Sequence, residues 1–379
     1  MYRVERFCNI EELLEDRDKW NLLAQGIPFR ETSWLHAWWK QFADGQEPYV
    51  LVARDSQGDV CGLMPFYRKA TSPKTLRILG DNNVCGDFVS VLAKPEDAKA
   101  IAESMASFLI REANSKSNDW ETIEIGGVSE EDVVMKHFAS VLRSGGAIVH
   151  AQSRMHTWLF QCHDTWEDWL GSLSRRTRRK YSELSKRVGT IDGLEVHVAT
   201  SHDQVTECLD GLIELHQRRW NTVGEPGTYS DERLRDFVHD VARDMCDRDR
   251  LHLLELQLDG KSIGSTLNFM GGNGCMYVYS TGYDIDASKH EPGRVLTALS
   301  LKFAHDHRMT GVEFLRGDEP YKQRIGAEPT RLLELRIVAP RLWAKVCHTA
   351  WAAQFELKQW ARRKAGRDVI EVVEMALTS

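Results

Sequence analysis

The sequence predicts an α/β (α+β) fold made of two similar tandem halves, each a mixed and mostly antiparallel sheet flanked by helices, with a long helix at the C-terminus. Three observations support this prediction. The chain has 379 residues, which is more than one hydrophobic core usually organises. Stretches with the apolar alternation of strands interleave with stretches of helical periodicity. One order of elements occurs twice along the chain, which indicates an internal duplication.

The first half begins with a helix and continues through strands to a second helix. We predict a helix over "SWLHAWWKQFA" with Ser33 as its N-cap, because a serine side chain can accept a hydrogen bond from an early helical amide. Pro95 stands near the start of the second helix, where its missing N–H costs nothing. The predicted strands are "PYVLVARDSQGDVCGLMPFYRK", which is two strands around a turn, "GDFVSVL" and "WETIEIGG".

The second half repeats this order. The turn Gly58–Gly62 matches Gly260–Gly264, with glycine at both ends of each, and Pro292 leads a helix as Pro95 does. The predicted elements are helix, strand-turn-strand, strand, helix and strand over "DGLIELHQRRW", "LHLLELQLDGKSIGSTLNFMGG", "GCMYVYSTGYD", "GRVLTALSLKFAHDHR" and "GVEFLRGD". We therefore predict four segments, an N-terminal domain, a basic connecting helix, a C-terminal domain and a C-terminal helix with tail, at residues 1–163, 164–190, 191–340 and 341–379.

Composition excludes several classes of protein. The net charge of −7 gives no general attraction to nucleic acid or to anionic membranes. No apolar run is long enough to span a bilayer, and the N-terminal stretch has no apolar core typical of a secretory signal. The eight cysteines are scattered without a Cys-x-x-Cys pair. We therefore expect free thiols, a cytoplasmic location and no metal site.

The segment between the halves, "DTWEDWLGSLSRRTRRKYSELSKRV", is a predicted helix capped by Asp164 or Thr165. Two interpretations of its basic run stay open. It is either a solvated connecting helix or a surface for an acidic partner, such as phosphate, nucleotide or RNA. The run consists of Arg175, Arg176, Arg178, Arg179, Lys180, Lys186 and Arg187.

The order of elements resembles the GCN5-related N-acetyltransferase (GNAT) fold, and its duplication resembles the tandem FemAB-like branch. The stretch "YDIDASKHEPGRVL", followed by "VEFLRGDEPYKQRIGAEP", resembles the bacterial CelD or BcsL group of acetyltransferases linked to cellulose biosynthesis. The resemblance covers residues 20–340, and it implies acyl-CoA, in particular acetyl-CoA, as co-substrate. The residues that match its C-terminal signature are Tyr283, Pro292, Gly293, Arg316, Gly317, Asp318, Glu319, Tyr321 and Lys322.

The stretch around Gly293 is the predicted donor site. A helix N-terminus offers unpaired amides and partial positive charge, and glycine lets a phosphate approach the backbone. A donor phosphate would then lie against Gly293, Arg294 and Val295, just after Pro292. Only Gly293 matches the usual GNAT pyrophosphate loop. Acyl-CoA use is therefore implied by the family resemblance and is not required by this loop. The family also implies that the acyl group lies beside the preceding strand, which carries Tyr279 and Tyr283.

The stretch "RGDEPYK" is the predicted acceptor side, because ligand groups in α/β sheets gather beyond strand ends. Asp318 and Glu319 are candidate bases or orienting carboxylates, and Tyr321 could protonate the departing thiolate. Lys322 could bind an acidic substrate or pair with the carboxylates; the alternative is a structural salt-bridge turn. A weaker candidate base and further residues expected to bind the acceptor are His216, Arg219, Trp220 and Arg316.

Two classes of function remain at this stage. The first is an enzyme that moves an acyl group from acyl-CoA to an amine or hydroxyl of a sugar, polysaccharide precursor or small metabolite. Its enzymatic alternative is a FemAB-like transferase that uses aminoacyl-tRNA. The second class is a non-catalytic accessory protein of exopolysaccharide synthesis. In all cases we expect unequal halves, because Glu96 and Asp97 at the first helix start would repel a phosphate, leaving the first domain structural or acceptor-side.

Overall fold

The computed structural model describes residues 2–14, 17–69, 73–80, 84–115, 119–222, 224–366 and 369–373. Its strands are β1 Arg3–Phe7, β2 Gln46–Arg54, β3 Val60–Lys69, β4 Thr75–Ile78, β5 Leu92–Ala93, β6 Thr122–Ser129, β7 Ile148–Gln161, β8 Leu194–Val198, β9 Leu251–Leu258, β10 Lys261–Met270, β11 Cys275–Tyr283, β12 Gly311–Glu313, β13 Glu328–Val338 and β14 Glu371–Val372. Its helices are α1 Ile10–Leu14, α2 Arg17–Leu23, α3 Thr32–Phe42, α4 Ala98–Asn114, α5 Val133–Ser144, α6 Trp166–Ser172, α7 Arg175–Leu184, α8 His202–Thr222, α9 Glu232–Asp247, α10 Pro292–Asp306, α11 Pro320–Arg324 and α12 Leu342–Lys364.

The chain divides into two compact units. Unit 1 comprises residues 1–155 and 330–379, and unit 2 comprises residues 156–329. Strands β7 and β13 each run through a division. Residues 330–379 therefore belong to the same unit as the first part of the chain. The roles that the sequence assigns to its four predicted segments remain predictions.

Unit 1 is a mixed sheet with the order β1-β2-β3-β4-β6-β13. Its neighbouring strands are antiparallel except for β4 and β6, which run parallel. Helices α4 and α5 contribute fully buried apolar residues such as Ile101, Leu109 and Phe138 to the core of this sheet. Burial of such side chains is the main stabilising term of the unit.

Unit 2 repeats this pattern. The second part of β7 is followed across the sheet by β12, β11, β10, β9 and β8, and only β11 and β12 pair in parallel. Two glycines let helices approach the sheet closely. A Cβ at Gly264 would lie 3.1 Å from Leu296 of α10, and a Cβ at Gly282 would lie 2.5 Å from the Leu212 carbonyl of α8. These contacts fix the start of α10 against β10 and α8 against β11.

The predicted fold class is confirmed, including the duplicated order of elements and the long C-terminal helix α12. Three local predictions were wrong. Helix α3 begins at Thr32, so Ser33 lies buried inside it and Glu31 occupies the N-cap position without a side-chain capping hydrogen bond. Of "GDFVSVL" only Leu92 belongs to a strand. The basic connecting segment is two helices, α6 and α7, because Ser174 caps a new helix by accepting from the Thr177 amide.

Helix α6 starts as predicted, with the Thr165 hydroxyl accepting from the Asp168 amide. Within the residues that the structure describes, none of the helices is both long and apolar enough to cross a membrane.

Candidate functional site

The start of α10 is closely packed against β11. Gly293 faces the ring of Tyr283, and a Cβ at this glycine would lie 3.2 Å from that ring. The amides of Arg294 and Val295 donate to the Glu291 carbonyl at 2.9 and 3.0 Å. Two of the three amides expected to hold a donor phosphate are thus used in the first helical turn. The Gly293 amide has no hydrogen-bond acceptor among the described residues.

The residue before this helix, Glu291, organises a cluster of cations. Its backbone is left-handed, with φ of 53°, a conformation that is costly for a residue other than glycine. Its carboxylate accepts from Arg294 at 2.7 Å, from Arg187 at 2.8 Å and from Lys180. Partial burial alone would raise the pKa of Glu291, but these three hydrogen-bonded cations lower it to about 2. A carboxylate and three positive groups therefore stand together at the predicted donor site.

Beside this cluster lies a cavity of about 650 Å³ between α7, α10 and α11. Five positively charged side chains line it, against the single carboxylate of Glu183. The lining residues are Arg176, Thr177, Arg179, Lys180, Tyr181, Glu183, Leu184, Arg294, Tyr321 and Arg324. The basic run of the sequence therefore contributes to a concave, positively charged site as well as to an exposed helix surface.

Two tyrosines, Tyr181 and Tyr321, also line this cavity. Burial raises the pKa of Tyr181 to about 12 and raises that of Tyr321 still further above its usual range. Tyr321 also packs edge-on against Phe314, with ring centroids 5.9 Å apart. Both hydroxyls are therefore neutral at physiological pH, so they can donate a hydrogen bond.

The two parallel strands of unit 2 separate beyond their first residues. Cys275, Met276 and Tyr277 pair with β12, which ends at Glu313, whereas β11 continues to Tyr283. A register shift between β10 and β11 falls at Tyr279, and the residues from Val278 to Thr281 are partly exposed. The pairing of β11 with β12 therefore ends at Tyr277, beside the stretch of β11 where the acyl group was expected.

The loop after β12 has an unusual backbone that buried charges hold in place. Leu315 and Gly317 have φ of 53° and 112°. The buried carboxylate of Glu313 accepts from the Leu315 amide at 2.9 Å and from the Trp158 amide at 3.0 Å. The ammonium group of Lys322 is 2% exposed and donates to the carbonyls of residues 315, 316 and 317 at 3.3, 3.1 and 2.9 Å.

Lys322 thus directs its three N–H donors at the carbonyls of the loop. Its ammonium group also forms an ion pair with Glu319 of the same turn, at 2.9 Å. A buried charge is tolerated when it is paired and hydrogen-bonded in this way. Lys322 and Glu319 therefore brace the Arg316–Gly317 loop, and the carbonyl of Arg316 is one of its contacts.

At the end of this loop, Asp318 contacts two residues, His156 and Trp158, that the sequence did not indicate as site residues. Its Oδ1 accepts from the indole of Trp158 at 3.0 Å and lies 3.2 Å from His156 Nδ1. Both partners belong to β7, about 160 positions earlier, so no local motif connects them to Asp318. An aspartate on Nδ1 orients the imidazole and places its lone pair on Nε2, which suits a general base.

Of the remaining predicted residues, Arg219 contacts Tyr283, and Trp220 contacts His216. The Arg219 guanidinium lies over the Tyr283 ring at 4.8 Å, and the Trp220 indole donates to His216 Nε2 at 3.0 Å. Burial lowers the pKa of His216, so its ring is neutral with the proton on Nδ1. The lone pair of His216 is therefore occupied by Trp220 here. Tyr279 packs near Phe269, with ring centroids 5.6 Å apart.

The described residues contain no group of three His, Cys, Asp or Glu side chains arranged to hold a metal ion.

Comparisons with known proteins agree with this architecture. The acetyltransferase (GNAT) domain family matches residues 175–323. FemX is similar with 12% identity and a TM-score of 0.58, over 87% of this chain and 96% of FemX. A conserved protein of unknown function from Bacteroides thetaiotaomicron has 14% identity and a TM-score of 0.55, over 89% and 100% of the two chains. L-PGS from Bacillus licheniformis has 11% identity and a TM-score of 0.52, over 91% and 94%.

The comparison with curated proteins gave no match. At such low identities, the solved structures show similarity of fold alone. The family match covers α7 to α11, and these elements carry the cation-lined cavity, the separated strands and Asp318. Residues 175–323 are thus similar to the acetyltransferase (GNAT) domain family, within a tandem GNAT-like fold.

Proposed function

We propose that unit 2 is the catalytic unit of an acyltransferase, which moves an acyl group, in particular acetyl, from acyl-CoA to an amine or hydroxyl. The observation that carries this proposal is the cation-lined cavity at the start of α10. The proposed acceptor is a sugar, a polysaccharide precursor or a small metabolite, as the resemblance to the CelD or BcsL group implies. The cytoplasmic location predicted from the sequence remains a prediction.

The cavity suits the phosphates of such a donor. Its cations come from three different helices, so they converge on one volume rather than spread along one face. The partial positive charge of the α10 N-terminus adds to them. The Gly293 amide and the Arg294 guanidinium are the proposed phosphate contacts, with Arg294 sharing its charge between Glu291 and the ligand. The acyl carbonyl would then receive hydrogen bonds from β11 amides in the opening beyond Tyr277.

The proposed reaction is a direct attack on the thioester. The acceptor nitrogen or oxygen forms a bond to the acyl carbon and gives its proton to His156 Nε2, while Asp318 holds the imidazole through Nδ1. The tetrahedral oxyanion is stabilised by β11 amides and then collapses as the carbon–sulfur bond breaks. The thiolate takes a proton from the neutral hydroxyl of Tyr321. Solvent then reprotonates the phenolate and removes the proton from His156, so that both groups return to their starting states. Glu319 and Lys322 contribute indirectly, because their ion pair holds the loop that carries Asp318.

A second candidate is a transferase that takes its acyl group from aminoacyl-tRNA. Exposed Arg175, Arg176 and Arg179 on α7 favour this candidate, because they add an outward basic surface to the cavity. The similarity of fold to FemX is compatible with it. A non-catalytic accessory protein of exopolysaccharide synthesis is the third candidate.

Calorimetric titration with acetyl-CoA, CoA and bulk tRNA distinguishes these candidates, together with an assay of thiol release in the presence of amino sugars. Saturable binding of acetyl-CoA and acceptor-dependent thiol release are the expected results. Binding of tRNA without binding of CoA derivatives at millimolar concentration would support the second candidate. Absence of binding to both would leave the accessory function.

A further inference from the structure

Helix α12 in unit 1 has two different apolar faces. Its inner face packs against β7, with the Trp351 ring 5.1 Å from the His150 ring and Phe355 at 5.5 Å. Its outer face carries large apolar side chains that are 51 to 83% exposed. These residues are Leu342, Trp343, Val346, Leu357 and Trp360.

The exposed residues form one continuous stripe. At about 100° per residue, their directions fall within an arc of about 100°, with alanines at 350 and 353 filling the middle of the stripe. From Leu342 to Trp360 the stripe is about 27 Å long. The other exposed large apolar residues of the described helices, Leu22, Val133 and Trp220, lie one each on α2, α5 and α8. A contiguous apolar surface of this kind marks an interaction site.

The helix is also strongly basic. It carries five cationic side chains and one acidic side chain, Glu356, although the whole chain has a net charge of −7. By the same helical spacing, Lys345 and Arg363 border one side of the stripe and Lys358 lies on the other side. The remaining cations, Arg362 and Lys364, stand in the last turn.

We propose that the outer face of α12 binds the surface of an anionic lipid bilayer, with the helix lying in the plane of the interface. The apolar stripe would enter the boundary between headgroups and acyl chains, and the flanking cations would contact anionic headgroups. Exposed tryptophans suit this boundary because their rings have an apolar body and a polar N–H. A second copy of this chain suits the face less well, because two helices of like charge would meet.

Sedimentation with vesicles tests the proposal without any assay of acyl transfer. The protein should sediment with vesicles of phosphatidylcholine and phosphatidylglycerol, bind vesicles of phosphatidylcholine less, and dissociate from the mixed vesicles as salt rises. Trp343→Ser with Trp360→Ser should weaken binding to both kinds of vesicle by about tenfold. Lys358→Gln with Arg363→Gln should remove the preference for the anionic vesicles.

Leu22→Ser is the matched control, since it removes an exposed leucine from α2 of the same unit and should leave vesicle binding unchanged. Melting curves of each variant check that unit 1 remains folded, and the charge variants provide a test that does not alter the apolar stripe. The proposal would be overturned if the wild-type protein bound neither kind of vesicle. It would also be overturned if the α12 variants bound vesicles as well as the wild type does. A dimer that becomes monomeric in the tryptophan variant would overturn it too, because the face would then belong to a second copy.

Discussion

Units 1 and 2 each contain an equivalent pair of parallel strands, but the residues that follow the paired positions are buried in unit 1 and partly exposed in unit 2. Thr75, Leu76 and Arg77 pair with β6 as Cys275, Met276 and Tyr277 pair with β12. The next residues of unit 1, from Ile78 to Gly80, are buried, and the Val89 amide bonds to the Gly127 carbonyl at 3.0 Å. The next residues of unit 2, from Val278 to Ser280, are partly exposed.

The difference indicates how a duplicated fold can keep a single working site. In unit 1, buried Val89 and Val91 belong to the segment that precedes β5 and join the hydrophobic core. Burial of apolar surface there stabilises the unit, and the described residues leave no comparable opening beyond the strand pair. In unit 2 the corresponding strand edge is partly exposed, so less apolar surface is buried there, at the proposed ligand site.

The helix starts differ as well, in the charged groups that surround them. We expected Glu96 and Asp97 to repel a phosphate from the first unit, yet Glu291 occupies a comparable position in the second. What distinguishes the second start is the set of three cations bound to Glu291. The presence of balancing positive charge, rather than the absence of a carboxylate, therefore marks the proposed donor site.

The largest expected effect concerns the proposed base in unit 2. Asp318→Asn should lower turnover by about 100-fold or more, because the amide can no longer hold the imidazole of His156 in the right state, while donor affinity stays nearly intact. His156→Gln should have a similar effect, and the double variant should be little worse than either single one. Steady-state rates with calorimetric donor affinities measure both quantities.

Glu319→Gln should lower turnover less than Asp318→Asn, since Glu319 acts on the loop through its ion pair with Lys322. Full activity in both variants would show that this turn is structural and that the base lies elsewhere.

Substitutions at equivalent positions of the two strand pairs should have opposite effects. Ile78→Ala should reduce the free energy of unfolding by about 2–4 kcal/mol, because Ile78 is 1% exposed in the core, and should leave donor affinity unchanged. Val278→Ala should cost little stability and should change the KM for the donor. Chemical denaturation and initial rates test the pair. A change in donor KM from Ile78→Ala but not from Val278→Ala would reverse the assignment of the units.

The cavity cations should have a moderate effect on donor binding. Arg179→Gln should weaken donor affinity by about tenfold if the guanidinium makes a charge-assisted hydrogen bond to a phosphate. Lys302→Gln is the matched control, because Lys302 belongs to α10 and forms an ion pair with Asp306 outside the cavity. Calorimetry at low and high salt should show a smaller salt dependence for Arg179→Gln only. Equal affinities for the wild type and both variants would place the phosphates elsewhere.

Much of the fold was predictable because it depends on local patterns that the chain repeats. Turns with glycine at both ends and alternating apolar residues fixed the strand pairs, and a proline before an apolar helix marked α10. The errors arose where tertiary packing decides the structure. The segment before β5 is apolar because it enters the core of unit 1, and that apolar character resembled a strand.

The candidate site was less predictable. Asp318 was found from its position after a strand, but its partners His156 and Trp158 come from β7 in the middle of the chain. Gly293 was assigned to the approach of a phosphate, and the structure adds a second reason, the ring of Tyr283. Gly293→Val should therefore affect stability as well as binding. The sequence left Lys322 open to both a catalytic and a structural role, and its burial favours the proposal that it braces the loop.

The smallest expected effects concern Glu291, whose carboxylate binds Lys180, Arg187 and Arg294. Because the folded protein lowers its pKa from the ordinary value of 4.5 to about 2, the charged carboxylate stabilises the fold at neutral pH. The side chain is 24% exposed, so solvent screening reduces this stabilisation to about 1–2 kcal/mol.

Glu291→Gln should therefore lower the melting temperature at neutral pH. The difference from the wild type should persist down to about pH 5 and disappear as the pH falls through the range from 4.5 to about 2, where the wild-type carboxylate becomes protonated. The same variant should bind the donor a few-fold more tightly, because three cations lose their internal partner and become available to phosphate. Melting curves across this pH range and calorimetric titration at neutral pH measure the two effects. Weaker donor binding by Glu291→Gln would show instead that the carboxylate holds the cations in the geometry that the ligand needs, and the cluster would then be a preorganised part of the site rather than a competitor for it.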